Sequence, residues 1–200
     1  MHILFLSGKD IYLNPIYQYL CEVEHKVTAV DHKITYSYCI QNNFDFVVSY
    51  NYKYLITADI IDLYPDRIIN LHISYLPYNR GMHPNVWSWL LNTPKGVTIH
   101  KLDVGLDTGD ILLQKRLDFN QTDLHKLTLE STYNTLQSEI QQLFIDNWYL
   151  LRTKQIVGTP QDHSLATHHY GKELKNVILT DSWNTTIHNL IFRNYLPISI

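Results

Sequence analysis

The stretch DFVVSYNYKYLITADIIDLYPDRIINLH, residues 45–72, decides the fold. Phe46 to Ser49 is a short apolar run entered from Asp45, which reads as a buried strand. Ala58 to Tyr64 has helical character and is stopped by Pro65, which cannot continue a helix. Arg67 to Leu71 is again a strand, and His72 falls just past its end. Strand, helix and strand in alternation argue for an α/β fold with a mainly parallel sheet.

Working outward, the same alternation continues on both sides. Ile3 to Ser7 reads as a first strand closed by Ser7-Gly8. Asn14-Pro15 looks like a helix start, an N-cap with proline at the first position, leading into IYQYLCEVE. Lys26 to Val30 is a second strand and YSYCIQNN a short helix. Beyond His72, HISYLPYNRG is a loop, PNVWSWLLN a short helix and GVTIHKLD a strand of alternating character. VGLDTGD is turn-rich, and ILLQKRLDF is one more strand. From Thr122 to about Arg152, Leu129, Tyr133, Leu136, Ile140 and Leu143 recur at helical spacing and form one apolar face, the signature of core packing. The last fifty residues read as a small irregular or hairpin-like appendage, so the expected organisation is a main domain over 1–152 and an appendage over 153–200.

Composition fits an ordinary globular protein: 45% of residues are hydrophobic, 18% are charged, and glycine and proline number seven each, too few for a linker-rich chain. The net charge of −3, with Lys and Arg scattered, gives no electrostatic footprint for nucleic acid or anionic lipid. No window reaches the length of a membrane span, and the apolar start is too short for a secretory leader. A cytoplasmic location is expected, which makes the Asn184-Thr185-Thr186 sequon a chance match. Cys21 and Cys39 lack metal-type spacing and read as reduced thiols; without HExxH or CxxC, no dedicated metal site is expected.

Two loops carry candidate chemistry. Asn70 and His72 are two apart at a strand end, so their side chains point to one face. Asn70 offers an amide donor that can polarise a carbonyl, and His72 an imidazole, the side chain whose unperturbed pKa lies near neutrality. Asp107 sits in a tight turn between Gly105 and Gly109. If both loops share a sheet edge, they place an amide, an imidazole and a carboxylate around one pocket. Turn or capping duty would account for Asn70 and His72 equally, and an Asx-type turn for Asp107. Asp103, Asp107 and Asp110 lack the DxDxDG spacing of a calcium loop. Ser7-Gly8-Lys9 is not a GxxxxGK[ST] phosphate loop.

At these residues the sequence resembles the folate-dependent formyltransferase family. Asn70-Leu71-His72-Ile73-Ser74-Tyr75-Leu76-Pro77, followed by Arg80-Gly81, is similar to its N-x-H-x-S-x-L-P loop. Gly96-Val97-Thr98-Ile99-His100 and Gly105-Leu106-Asp107-Thr108-Gly109 resemble its second signature, and the likeness runs from about Asp45 to Phe119. PYNRGMHPNVWSW, GVTIHKLDVGLDTGDI and His169-Tyr170-Gly171-Lys172-Glu173-Leu174 look most like the sugar N-formyltransferase branch.

The resemblance implies a Rossmann-like, mostly parallel twisted sheet flanked by helices. It implies N10-formyltetrahydrofolate as co-substrate, no metal, and a nucleotide-linked amino-dideoxy sugar as acceptor, thymidine diphosphate-linked in many relatives. Asn70, His72 and Asp107 are the residues the family uses for catalysis. The pterin would lie against backbone from Tyr54 through Leu55 to Ile56 and from Asp103 to Leu106, although core packing explains Leu55 and Ile56 as well. For the sugar nucleotide the loop from Tyr75 to Trp87 is the candidate: Arg80 pairs with a diphosphate or braces the loop, and Tyr75, Tyr78 and Trp87 stack on the ligand or pack. A homodimer through the C-terminal part is also implied.

Two departures from the family pattern stand out. Between Asp31 and Asp45 there is space only for a short helix, so one edge strand should be missing. Lys101-Leu102 and Val104 replace commoner residues in the second signature. Among related activities, the acidic balance and the roughly fifty C-terminal residues argue against transfer to tRNA. LPYNRGMHPNVWSW and the appendage argue against a glycinamide ribonucleotide acceptor. A formylfolate hydrolase and a non-catalytic folate- or nucleotide-binding protein are the remaining alternatives.

Overall fold

In a computed structural model, which describes residues 1–8 and 10–195, the apolar runs of the N-terminal half pair side by side. Lys9, of the Ser7-Gly8-Lys9 sequence, lies outside the described residues. β1 (His2–Leu6) pairs in parallel with both β2 (Lys26–Val30) and β3 (Phe46–Tyr50), and β3 pairs in parallel with β4 (Ile68–His72). β3 is buried along its whole length, as expected of a strand covered on both faces. β6 (Lys95–Lys101) runs antiparallel to β4, and with β7 (Ile111–Leu117) it completes a six-stranded sheet ordered β2-β1-β3-β4-β6-β7. This is the expected mostly parallel α/β sheet. Between β2 and β3 the chain makes only α2 (Tyr36–Asn42), so β2 ends the sheet on that side, in keeping with the missing strand.

Local chemistry sets the helix ends. α1 (Pro15–Val23) starts where the Asn14 side chain accepts from the Ile16 N–H at 2.9 Å, satisfying one of the donors a helix start leaves unpaired. α2 is opened by Thr35, which accepts from the Tyr38 N–H. α3 is shorter than its sequence suggests: it covers Ala58–Ile61, and the next turn closes by i→i−3 bonds from Leu63 and Tyr64. Such tightening is the usual way a helix ends, and here it leads into Pro65 and the left-handed Asp66.

The long helix begins later than the expected Thr122. α5 covers Leu129–Arg152, because Thr128 and Ser131 cap each other: each hydroxyl accepts from the other's backbone N–H. That reciprocal pairing fixes the helix start. Its buried stripe is Leu129, Thr132, Leu136, Ile140, Phe144, Trp148 and Leu151, whereas Tyr133 and Leu143 are half-buried. The C-terminal stretch is irregular in part, with short 3-10 turns. It also contains α6 (Ile187–Tyr195), which the expected irregular or hairpin-like reading omits.

The chain forms two compact units. The first comprises Met1–His72, Thr98–Leu113 and Ile140–Gln161. Its core includes Leu4, Leu6, Val47, Ile56, Ile60 and Ile68, each contributing roughly 1.5–3 kcal/mol by leaving water. Trp148 lies edge-on to Phe46, and its Nε1 donates to Glu24 at 2.7 Å. The second unit comprises Ile73–Val97, Gln114–Glu139 and the chain from Asp162 onward. α4 (Pro84–Leu90) and α6 share its core through Val86, Trp89, Leu90, Ile187 and Leu190. β5 (Arg80–Gly81) pairs in parallel with β8 (His168–His169). Among the described residues, no helix is long and apolar enough to cross a membrane.

Candidate active site

β4 carries Asn70 and His72 on one face, by the two-residue repeat of a strand. His72 is the last residue of β4, since it still pairs with Thr98 across the sheet. The antiparallel register sets His100 of β6 directly opposite Asn70. The turn between β6 and β7 then brings Asp107 onto both. Asn70 Nδ2 lies 3.3 Å from Asp107 Oδ1 and 3.2 Å from His100 Nε2. His72 Nδ1 is 3.6 Å from Asp107 Oδ2, and His100 Nε2 is 3.5 Å from Oδ1. The three residues read from the sequence therefore meet in the first unit, joined by a fourth, His100.

Hydrogen-bond logic fixes the orientations. A carboxylate only accepts, so the amide nitrogen of Asn70 faces Asp107. His100 Nδ1 lies 2.8 Å from the Lys101 carbonyl, also an acceptor, so Nδ1 carries the proton. In the neutral ring Nε2 then accepts from Asn70. The 3.6 Å separation of His72 from Asp107 exceeds hydrogen-bond length but lies within ion-pair reach, a looseness common before substrate binds. The side chains are 9% exposed for His72, 2% for His100 and 13% for Asp107, so water screens their charges weakly.

The turn that presents Asp107 is tightly made. Asp107 has φ 51, a left-handed conformation. Asp103 Oδ1 accepts from the Gly105 N–H at 3.0 Å and from the Thr108 hydroxyl at 2.5 Å. Lys101 pairs with Asp66 at 2.7 Å; that hydrogen bond lowers the pKa of Asp66 and raises that of Lys101. Gln161, absent from the sequence reading, donates to the carbonyls of Asp107 and Gly109.

The positions expected to meet the pterin belong to this unit. Leu55 is 78% and Leu106 41% exposed, Tyr54 is half-buried against Tyr52, and Ile56 is a core side chain. Asp103 uses its carboxylate inside the turn. The positions expected to meet the sugar nucleotide lie in the second unit. Tyr75 and Tyr78 are half-buried around the cis Leu76-Pro77 bond. Arg80 is 2% exposed, and its guanidinium contacts His163 Nδ1 at 3.1 Å and His168 Nε2 at 3.4 Å. Trp87 stacks on His169 at 4.3 Å, a ring whose pKa is lowered chiefly by burial.

Two neighbours of the trio were missed for different reasons. His100 had a signal: a histidine at an alternate position of an otherwise buried strand, in register with Thr98. Gln161 had none, because it acts from a segment distant in the sequence.

Comparison with known proteins fits this geometry. Residues 9–147 match the formyl transferase family. The formyltransferase PseJ from Anoxybacillus kamchatkensis, in complex with UDP-4,6-dideoxy-4-formamido-L-AltNAc and tetrahydrofolate, is 40% identical. The alignment covers 96% of this chain and 98% of that one, with a TM-score of 0.86. The methionyl-tRNA formyltransferase of Ruminiclostridium cellulolyticum is 33% identical over 152 residues, 74% of this chain and 46% of its own length. The chain thus spans about half the length of the curated relatives it matches. The N-formyltransferase from Helicobacter canadensis, in complex with folinic acid and dTDP-3-aminofucose, is similar in fold, with a TM-score of 0.73 at 20% identity over 99% of this chain and 83% of that one. With the family matched from residue 9 to residue 147 and a relative 40% identical across nearly all of both chains, the chain belongs to the formyltransferase family.

Proposed function

We propose that the protein transfers a formyl group from N10-formyltetrahydrofolate to the amino group of a nucleotide-linked amino-dideoxy sugar. The observation that carries this reading is the convergence of Asn70 and His72 on Asp107, each with a polar atom within 3.6 Å of its carboxylate. The 40% identity to PseJ supports the sugar acceptor.

In this reading the acceptor nitrogen bonds to the formyl carbon, the bond from that carbon to folate N10 breaks, and the amine proton ends on N10. The formyl oxygen gains negative charge on the way, and Asn70 and His72 donate to it. Both Asn70 amide hydrogens face partners in the resting site, Asp107 and His100. A charged oxygen forms roughly twice as strong a bond as a neutral one, so it takes the hydrogen that His100 holds. Asp107 orients His72 and stabilises the positive charge that the proton shuttle puts on it. No step is assigned to a metal.

Folate fits the first unit through Leu55, Val104 and Leu106, apolar side chains left 78%, 73% and 41% exposed, surface that a flat ring would cover. Tyr54, Ile56 and Asp103 enter through their main chain. For the sugar nucleotide, Tyr75, Tyr78 and Trp87 remain the proposed contacts. Arg80, held by His163 and His168, braces the loop and remains a proposed diphosphate contact. Uridine diphosphate is the first nucleotide to test, because PseJ holds a UDP-sugar; thymidine diphosphate rests on relatives such as the one at 20% identity. The reading keeps residues 1–152 as the catalytic domain and 153–200 as an appendage. It adds a homodimer through that appendage, where Phe192 and Tyr195 are exposed, to be checked by light scattering.

A second reading, formylation of methionyl-tRNA, is favoured by the curated relatives and opposed by the net charge of −3. The discriminating experiment supplies N10-formyltetrahydrofolate with UDP- and dTDP-linked amino sugars, charged tRNA, or water alone. Tetrahydrofolate release and a one-formyl mass gain only with an amino sugar nucleotide support the proposal. Gain on tRNA, release with water alone, or no release with any acceptor would each replace it.

A further inference from the structure

Gln161 follows α5 in the first unit and is buried, 6% exposed. Its Nε2 donates to the Asp107 carbonyl at 2.9 Å and to the Gly109 carbonyl at 2.7 Å. Carbonyl oxygens only accept, so the amide nitrogen must face them, and both of its hydrogens are engaged. The same segment is tied to the strand that leaves the turn: Thr159 and Ile111 exchange both backbone hydrogen bonds at 2.9 Å. Gly158 permits this approach, since a Cβ there would come within 2.7 Å of Asp110 Cβ. On its other side the turn rests on the Lys101 carbonyl, which a Cβ on Gly109 would strike.

Asp107 therefore sits left-handed, at φ 51, between two fixed walls. A residue in that region stays there only when its surroundings over-determine it. Its carboxylate must also keep both oxygens on separate partners, Oδ1 toward Asn70 and His100 and Oδ2 toward His72. Through these two bonds Gln161 holds the backbone from which the carboxylate projects.

We propose that Gln161 is a positioning residue for formyl transfer, fixing the Asp107 turn so that the carboxylate stays against His72. This rests on the reaction proposed above. The test uses the full chain with Gln161→Met, which keeps the length and removes the donors, and Gln161→Glu, which keeps the shape and places acceptors against the two carbonyls. Two measurements are made.

Without any acceptor, amide hydrogen exchange read by mass spectrometry should speed up over residues 103–111 in both variants and stay unchanged in β1 and β3. With the acceptor, kcat should fall about 10- to 100-fold, the cost of misplacing a catalytic group by about 1 Å, while KM for folate and sugar stays within about threefold. Added to Asp107→Asn, either substitution should cost no further activity, because both act through one carboxylate. Unchanged exchange, unchanged kcat in a folded variant, or losses that add to that of Asp107→Asn each overturn the proposal, as does global unfolding of both variants. Faster exchange in the turn, with wild type formylating no acceptor, would instead reject the reaction and leave the turn's anchoring standing.

Discussion

Replacing Asp107 with Asn tests the site most directly, because it keeps the shape of the side chain and removes its charge. Asp107 Oδ2 lies 3.6 Å from His72 Nδ1, and the two side chains are 13% and 9% exposed. An imidazolium forming at that distance gains about 4–5 kcal/mol from the carboxylate at an effective dielectric near 20. At 1.36 kcal/mol per decade this corresponds to about 1000-fold in rate if the whole interaction appears only in the transition state. The Asn side chain keeps one acceptor oxygen and can still meet Asn70 or His72, which reduces the loss. The expected fall in kcat is therefore about 100- to 1000-fold, with KM for both substrates little changed because the charge develops during reaction. The assay is initial-rate tetrahydrofolate release at saturating UDP-amino sugar, with a thermal melt to show that the variant folds. A folded Asp107→Asn protein that turns over within about threefold of wild type would refute the reasoning.

Three further outcomes follow from packing and burial. Trp148→Ala removes a ring that is 1% exposed, packed against Phe46 and Phe144, and leaves the Glu24 carboxylate without its indole donor. Stability should drop by about 3–5 kcal/mol, read as a lower urea midpoint, with kcat of the folded fraction unchanged. Gly109→Ala drives a Cβ into the Lys101 carbonyl and should lower kcat about tenfold or more by shifting the turn, while Gly8→Ala, which meets only Asn51 O at 3.3 Å, should not. Lys95 is buried, donates to the Ser88 and Thr93 carbonyls, and is pushed down to about 8 by that burial from 10.5. Between those values the unfolded chain holds the proton that the folded one has lost, so stability from this group rises with pH. The wild type should therefore gain on Lys95→Met as pH moves from about 8 to about 10, measured as the difference in urea midpoints; a constant difference would remove the titration.

How much of this was legible in the sequence depended on whether the cause was local. The strands of the parallel half are continuous apolar runs, and Asn14-Pro15 announces α1, because burial and capping act within a few residues. Asn70 and His72 share a face for the same reason, and Asp107 between two glycines marks a turn. The late start of α5 was also readable, since Thr128 and Ser131 have the spacing of reciprocal caps and the apolar repeat begins at Leu129, although the expected boundary lies at Thr122. α6 carries Ile187 and Leu190 at helical spacing and is short enough to pass for loop. Arg80 shows the limit of side-chain chemistry: a guanidinium suits phosphate, yet Arg80 pairs with His168 across β5 and β8, donates its backbone N–H to the Thr167 carbonyl, and sets its guanidinium on two histidines.

What the sequence leaves hidden is the register that pairs distant segments, and the active site depends on it. Asn70 meets His100 because β6 returns antiparallel to β4 with those two residues opposed. A slip of one residue would set Ile99 or Lys101 there instead and turn the histidine to the other face. Asp107 then reaches both only if its turn folds back over the sheet, and Gln161 supplies the two donors that hold it. The motif residues supply the reactive groups; the antiparallel strand and the post-helix segment supply their separation, and a rate that changes with a 1 Å displacement is governed by both. Substitutions at the motif should therefore cost the most in rate, whereas those at Gln161 or Gly109 should cost less, and that difference in response separates holding a group in place from being the group.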